Sequence, residues 1–188
     1  MNQGYLEFAV ESTQVSISPD KQDVYITANI VEGERFQVSS VKMAGDFTIP
    51  EGELKKLVAI KPGDVFSREK LNGTTKAISD RLGKEGYAFA NVNAAPEIDK
   101  DKRTVAFTIF VDPGKRDYVR RVNVTGNTKT RDEVIRREMR QMEGGWYDAD
   151  KVTASKQRID RLGFFGDVAI ETPAVSGTAD QLDVNVNV

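Results

Sequence analysis

Two residue types are missing altogether: the chain of 188 residues holds no cysteine and no histidine. Without cysteine there is no disulfide, no thiolate chemistry and no sulfur-ligated metal, although the compartment stays open. Without histidine the commonest general base is gone, and so is the commonest ligand of catalytic zinc, copper or iron. Any catalysis would fall to carboxylates, Lys, Ser or Tyr. No Gly-rich phosphate loop of the Walker or dinucleotide type is present. An excess of one charge is lacking too: 27 Lys and Arg stand against 29 Asp and Glu, a net −2. No overall field therefore draws the chain onto nucleic acid or an anionic membrane. No apolar run approaches the roughly 18 residues a membrane helix needs. The start, MNQGYLEF, leads straight into folded-looking sequence without a leader pattern, so the expectation is a cytosolic chain or a piece of a longer precursor.

What is present is ordinary globular composition, 39% hydrophobic and 30% charged, arranged as a repeat. RLGKEGYAFANV at residues 81–92 is echoed by RLGFFGDVAI at 161–170, and more faintly by GYLEFAV from Gly4. Gly45 matches Gly126 and Phe66-Ser67 matches Tyr147-Asp148, each at a spacing of 81. Gly86 matches Gly166 at 80, and Gly4 matches Gly86 at 82. A period near 81 residues fits one small domain per repeat better than a solenoid unit.

Each full repeat reads β-α-α-β-β. The first strand alternates, with Phe36, Val38, Val41 and Met43 in one repeat and Tyr118, Val119, Val122 and Val124 in the next. A turn glycine follows. The first helix begins at Pro50 in one repeat, with Leu54, Leu57 and Val58 inward. In the other it opens on TRDE, a capping box of Thr130 and Glu133, with Ile135, Met139 and Met142 on one face. Ser67 and Asp148 are predicted to cap the second helices. The inward residues of these helices are Leu71, Ile78 and Leu82 in one repeat, and Val152, Ile159 and Leu162 in the other. Gly83 and Gly163 are predicted left-handed helix ends. Two strands joined by a polar turn close each repeat. The predicted fold class is α+β: tandem units, each a three-stranded mixed sheet with two antiparallel helices on one face. The predicted boundaries are 1–33 for the closing hairpin of a truncated unit, 34–114 for one full unit and 115–188 for the next. A lone hairpin is marginal, so the one at residues 5–31 is expected to pack on the next unit or on another copy of itself.

The sequence resembles the tandem POTRA repeats of the BamA family of outer-membrane β-barrel assembly factors. The resemblance rests on the β-α-α-β-β tandem, the run RREMRQMEGGW, and the double Phe164-Phe165 in RLGFFG. It covers the whole chain, as the end of a third, then a fourth and a fifth POTRA unit. It implies a periplasmic location within an outer-membrane protein, a signal peptide and earlier units upstream, and a membrane β-barrel downstream. It further implies a non-enzymatic scaffold for unfolded outer-membrane protein clients and for accessory lipoproteins such as BamD and BamB, with no cofactor and no metal. Within that family the last unit docks a lipoprotein, which points to the outward residues Glu133, Arg136, Arg137, Glu138 and Arg140. The second strand of a unit lies at a sheet edge in the family. Here that strand is expected from Tyr87 to about Ala94, stopped by Pro96, and in the last unit from about Asp167 to Thr172, stopped by Pro173. The unblocked stretch Tyr87, Ala88, Phe89, Ala90, Asn91 and Val92 is the expected site of client strand addition.

Other readings are kept beside these. The same repeats could belong to a secretion or translocation barrel with one dominant client, or to a histidine-free hydrolase with a polar cleft. Residues 115–140 carry nine basic and four acidic side chains but only Tyr118 as an aromatic, which reads as a solvated face rather than a nucleic-acid site. At least one ring of Phe164-Phe165 is expected to cap the core. DKQD (20–23) and DKDK (99–102) lack the glycine and distant Glu of a calcium loop and read as hairpin turns.

Overall fold

A computed structural model describes residues 4–5, 9–18 and 22–188. The DKQD turn falls partly outside these. Its neighbours form the predicted hairpin, β1 (Ala9–Ile17) and β2 (Val24–Val31), paired antiparallel with a bulge between Val10 and Ser12. The first full repeat follows as β3 (Gln37–Gly45), α1 (Glu51–Lys56), α2 (Arg68–Gly83), β4 (Asn91–Asp99) and β5 (Thr104–Asp112). The last repeat is β6 (Tyr118–Thr125), α3 (Asp132–Arg136), α4 (Ala149–Asp160), β7 (Ala169–Glu171) and β8 (Gln181–Asn187).

The last-formed strand takes the middle of each sheet. The orders are β3-β5-β4 and β6-β8-β7, so β4 and β7 are edge strands. β8 runs parallel to β6 and antiparallel to β7, which makes that sheet mixed. The burial of β5 alternates strictly, with Val105, Phe107, Ile109 and Val111 inward, and β8 does the same with Leu182, Val184 and Val186. Alternation of this kind places one face of each sheet under the helices. Phe36, Val38, Ile60, Phe66, Val105 and Phe107 form one core, with Phe66 stacked on Phe107 at 5.6 Å. The other joins Val119, Val122, Ile135, Met139, Ile159, Val168, Leu182, Val184 and Val186. Each such fully buried side chain stabilises the fold by roughly 1.5–3 kcal/mol.

Two compact units divide the chain. One comprises Met1–Ala44, Lys55–Thr75 and Asn93–Phe110; the other comprises Gly45–Leu54, Lys76–Val92 and Val111–Val188. The C-terminal half of α2 and the turn after it belong with the last repeat because Gly86 and Ala88 are hydrogen-bonded to Asp117.

Several local expectations hold. Ser67 Oγ accepts the Lys70 N–H at 3.3 Å, and Asp148 accepts from Asp150 and Lys151 at 2.9 and 3.2 Å. Gly45 (φ 111°) and Gly126 (φ 86°) stand so close to the carbonyls of Val111 and Val188 that a Cβ would collide with them.

Others are corrected. Gly83 ends α2 in ordinary helical geometry, and the left-handed residue is Gly86 (φ 103°), three positions on. Gly83 is small for another reason: a Cβ there would lie 3.3 Å from that of Ala149. The Thr130–Glu133 capping box does not form, since the residue before α3 is Arg131 and no side chain caps the helix. Asn127 Nδ2 bonds the Thr130 carbonyl and holds that turn instead. Met142 is 60% exposed because α3 stops at Arg136, six residues short of it. The packing expected of the hairpin is met among the described residues at Tyr5, whose hydroxyl accepts the Arg35 Nε–H at 3.2 Å and which lies beside Phe66, Leu71 and Phe107, while the strands themselves are open. Nearly every residue of β1 and β2 is exposed, including Val15, Ile17, Tyr25 and Ile26.

Candidate interaction surfaces

α3 is only five residues long because the chain beyond it is pulled onto α4. The Ser155 hydroxyl, buried on α4, accepts the Arg140 N–H at 2.8 Å and gives its proton to the Lys151 carbonyl. Glu133, Arg136, Arg137 and Arg140 face solvent as expected. Arg136 bonds Asp132 and lies 3.6 Å from Glu143. Glu138 departs from the expectation of an outward acid. Its carboxylate turns onto α4 and meets Arg158 Nη2 at 2.6 Å, with Arg137 Nε at 3.4 Å, and its side chain is only 15% exposed. Nothing in the local sequence marks the pairing of Glu138 with Arg158, twenty positions on.

The expected client edge is shifted. Tyr87 to Ala90 form a turn, and β4 starts at Asn91, so only Asn91 and Val92 of the six expected residues lie in the strand. The cause is Asp117. Its carboxylate accepts the Ala88 N–H at 2.9 Å, while its own N–H donates to the Gly86 carbonyl at 2.8 Å. Those bonds hold the backbone in a turn. Pro96 does not stop the strand, which runs on to Asp99. An edge strand tolerates proline where the missing N–H would face away from its neighbour. β7 occupies the matching edge of the last repeat but spans three residues.

Burial raises the Asp117 carboxyl above the usual carboxylate range, an effect that nearby Asp180 reinforces and the Ala88 and Phe89 amides oppose. Burial likewise pushes the Tyr147 hydroxyl up. On the open face of the last sheet, the Arg120 guanidinium grips Asp183 through two bonds, at 2.9 and 2.5 Å, and holds that carboxyl down. The parallel β6–β8 register continues the row with Asn123 to Asn185 and Thr125 to Asn187.

One feature had no sequence signal beyond its residue types. The rings of Tyr118 and Trp146 stack at 3.8 Å, and the Arg116 guanidinium lies 4.5 Å over Trp146. Gln141, fully buried, positions the loop: its amide donates to the Trp146 carbonyl at 3.0 Å and accepts the Asp148 N–H at 2.9 Å. Of the double Phe, Phe165 packs against the core while Phe164 is 63% exposed.

Among the described residues no cluster of three or more metal-ligating side chains occurs. No helix among them is long and apolar enough to cross a membrane.

Tandem β-α-α-β-β units, each with its closing strand central in a three-stranded sheet, define the class. The chain belongs to the POTRA family, described as "Surface antigen variable number repeat", which matches residues 36–114 and 118–188. Its relatives carry a more particular name. It is 37% identical over 187 residues to the outer membrane protein assembly factor BamA of Neisseria meningitidis, covering 99% of this chain and 24% of that protein. It is 30% identical over 188 residues to BamA of Buchnera aphidicola, covering 100% of this chain and 30% of that one. The chain thus spans less than a third of the length of these relatives. In structure it is similar to POTRA3–5 of Haemophilus influenzae BamA, with a TM-score of 0.93 at 35% identity, over all of this chain and 74% of that one. It is also similar to Haemophilus ducreyi BamA lacking POTRA domains 1–3, with a TM-score of 0.66 at 35% identity, over 81% of this chain and 29% of that one.

Proposed function

We propose that this chain is a non-catalytic periplasmic scaffold in the assembly of outer-membrane β-barrel proteins. It accepts unfolded clients at the edge of β4 and offers the surface around α3 to an accessory lipoprotein of the BamD or BamB kind. The observation that carries the reading is the sheet order β3-β5-β4, which leaves a nine-residue strand at the edge. An extended client can add to such an edge through main-chain bonds that demand little of its sequence. The stretch that serves is Asn91 to Ala95, since Pro96 offers no N–H. Similarity to the POTRA3–5 stretch of BamA supports the setting. Amide NMR of the labelled chain with peptides from outer-membrane proteins is the test. Shifts along β4 are expected, and their absence at millimolar peptide would remove the strand-addition mechanism.

A further inference from the structure

The first full repeat leaves open a place that the last repeat fills with its own side chains. Three positions correspond at the spacing of 81: Arg35 to Arg116, Gln37 to Tyr118 and Val65 to Trp146. The backbone agrees. Gln37 forms an isolated antiparallel bridge with Val65, as Tyr118 does with Trp146. The Gln37 N–H donates to the Arg103 carbonyl at 3.0 Å, and the Tyr118 N–H donates to the Asp180 carbonyl at 2.8 Å. Residues opposed across such a bridge share one face. In the last repeat that face carries two rings stacked at 3.8 Å, with the Arg116 guanidinium 4.5 Å over the indole. In the first it carries only the amide of Gln37 and the branched side chain of Val65, which is 49% exposed. A cavity of about 380 Å³ lies there, lined by Arg35, Phe36, Gln37, Val65, Lys102 and Arg103.

The charge around this cavity is one-sided. Arg35 stacks on Tyr5, with its guanidinium carbon 5.2 Å from the ring centroid and its Nε–H on the Tyr5 hydroxyl at 3.2 Å. One face of that planar group is thus already set against an aromatic ring. Lys102 and Arg103 add two more cations. Asp99 lies 3.4 Å from Lys102, and Glu34 lies 2.9 Å from Arg103. Three cations against two acids leave these side chains one positive charge in excess. Among the described residues, Arg103 is the one non-glycine residue with a positive φ, 53°. The matching turn of the last repeat uses a glycine, Gly177 (φ 85°), for its left-handed residue and carries Asp180 where Arg103 stands. The first repeat therefore holds an arginine in a backbone conformation that suits glycine better, and sets its guanidinium at the cavity.

We propose that this cavity is a docking site for a partner segment that presents Trp or Tyr next to Asp or Glu. The incoming ring lies over Gln37 and Val65, in the place that the Tyr118 and Trp146 rings take in the last repeat. It meets the face of the Arg35 guanidinium turned away from Tyr5, as the indole of Trp146 meets Arg116. A cation over an aromatic face is attractive, and more so once both are desolvated. The adjoining carboxylate pairs with Lys102 and Arg103. A basic residue in its place meets the excess positive charge and is disfavoured. None of the residues from Asn91 to Ala95 takes part, so the site stands apart from strand addition at β4.

The probe is the acetylated, amidated hexapeptide Gly-Ser-Trp-Glu-Ser-Gly, titrated into the labelled whole chain and followed by amide NMR. Shifts are expected at Arg35, Gln37, Val65 and Arg103. Replacing its Trp by Leu keeps apolar bulk without the ring and should weaken binding about fivefold or more, as should replacing its Glu by Lys. Val65→Trp supplies the ring from within, as the last repeat does, and should abolish binding at millimolar peptide. Arg35→Lys keeps the charge but not the planar stack and should weaken binding about threefold or more. That second variant keeps the test open if Val65→Trp disturbs the fold. Equal affinity for the Trp and Leu peptides overturns the proposal, as does undiminished binding to Arg35→Lys or to a folded Val65→Trp. Shifts confined to residues 91–95 or to the last repeat overturn it too, as does the absence of any shift at millimolar peptide.

Discussion

The hydroxyls of Thr74 and Ser155, 81 residues apart, do the same work in their two repeats. Thr74 Oγ1 accepts the Ala59 N–H at 3.0 Å and donates to the Lys70 carbonyl at 2.8 Å. Ser155 Oγ accepts the Arg140 N–H at 2.8 Å and donates to the Lys151 carbonyl at 2.7 Å. In each case a buried side chain of the second helix ties down the chain leaving the first.

Thr74→Val keeps the volume and removes the acceptor. The Ala59 N–H is then left without its partner, which costs about 1–3 kcal/mol. Ser155→Ala is expected to do the same to Arg140, and to loosen the loop that carries Glu138. Chemical denaturation followed by tryptophan fluorescence reports the second change directly, since Trp146 lies in the loop after Arg140. A loss below about 0.5 kcal/mol in both variants would mean that water replaces the hydroxyl without penalty.

Asp117 sets a pH dependence of unusual sign for a carboxylate. Burial raises its pKa in the folded chain above the unfolded value. Between those two values the folded state holds more protons than the unfolded state, so stability from this group falls as pH rises through the window and is level above it. Asp117→Asn removes that titration and keeps an acceptor for the Ala88 N–H. Unfolding midpoints for the two chains between about pH 3 and about pH 7 should show the unaltered chain losing ground to the variant as pH rises. A difference that grows in the other direction would show that the amide bonds outweigh burial.

Asp183 behaves oppositely. Hydrogen bonds from Arg120, then the charge of that guanidinium, hold its folded pKa below the unfolded value. The stability it contributes is present above the unfolded pKa and is lost as pH falls through the folded one. Arg120→Ala should let the carboxyl return upward, as read by its side-chain NMR titration. An unmoved titration would assign the low pKa to Arg121, the weaker cause.

These groups also show where sequence reasoning stops. The β-α-α-β-β order, the caps at Ser67 and Asp148, and the inward rows of β5 and β8 follow from periods and short-range spacing, which backbone geometry alone imposes. The equivalence of Thr74 and Ser155 was within reach of the same 81-residue period. The start of β4 was not, because it is decided by Asp117, 29 positions from Ala88. Tyr87-Ala88-Phe89-Ala90 alternates plausibly enough for a strand until a carboxylate from the linker takes its N–H groups. Glu138 failed for a related reason: a five-residue helix no longer fixes which way the residues after it point, and Arg158 on α4 decides instead.

That pairing alters what a charge reversal at Glu138 can reveal. Glu138→Lys removes the bond to Arg158 Nη2 and places a third cation beside Arg158 and Arg137. With Glu138 partly buried and Arg158 more open, the expected loss of folding stability is about 1–2 kcal/mol. Weakened binding of a lipoprotein partner by this variant alone would thus mix two effects: a lost contact and a disturbed surface. The swap Glu138→Lys with Arg158→Glu separates them. It restores an ion pair between α4 and the loop after α3 and should recover most of the stability in denaturant. If Glu138 also touches the partner, binding measured by calorimetry stays weak in the swapped chain despite the recovered fold, because the partner's basic group now faces a lysine. Full recovery of binding together with stability would show that Glu138 serves the fold only, and would shift the docking surface to Glu133, Arg137 and Arg140.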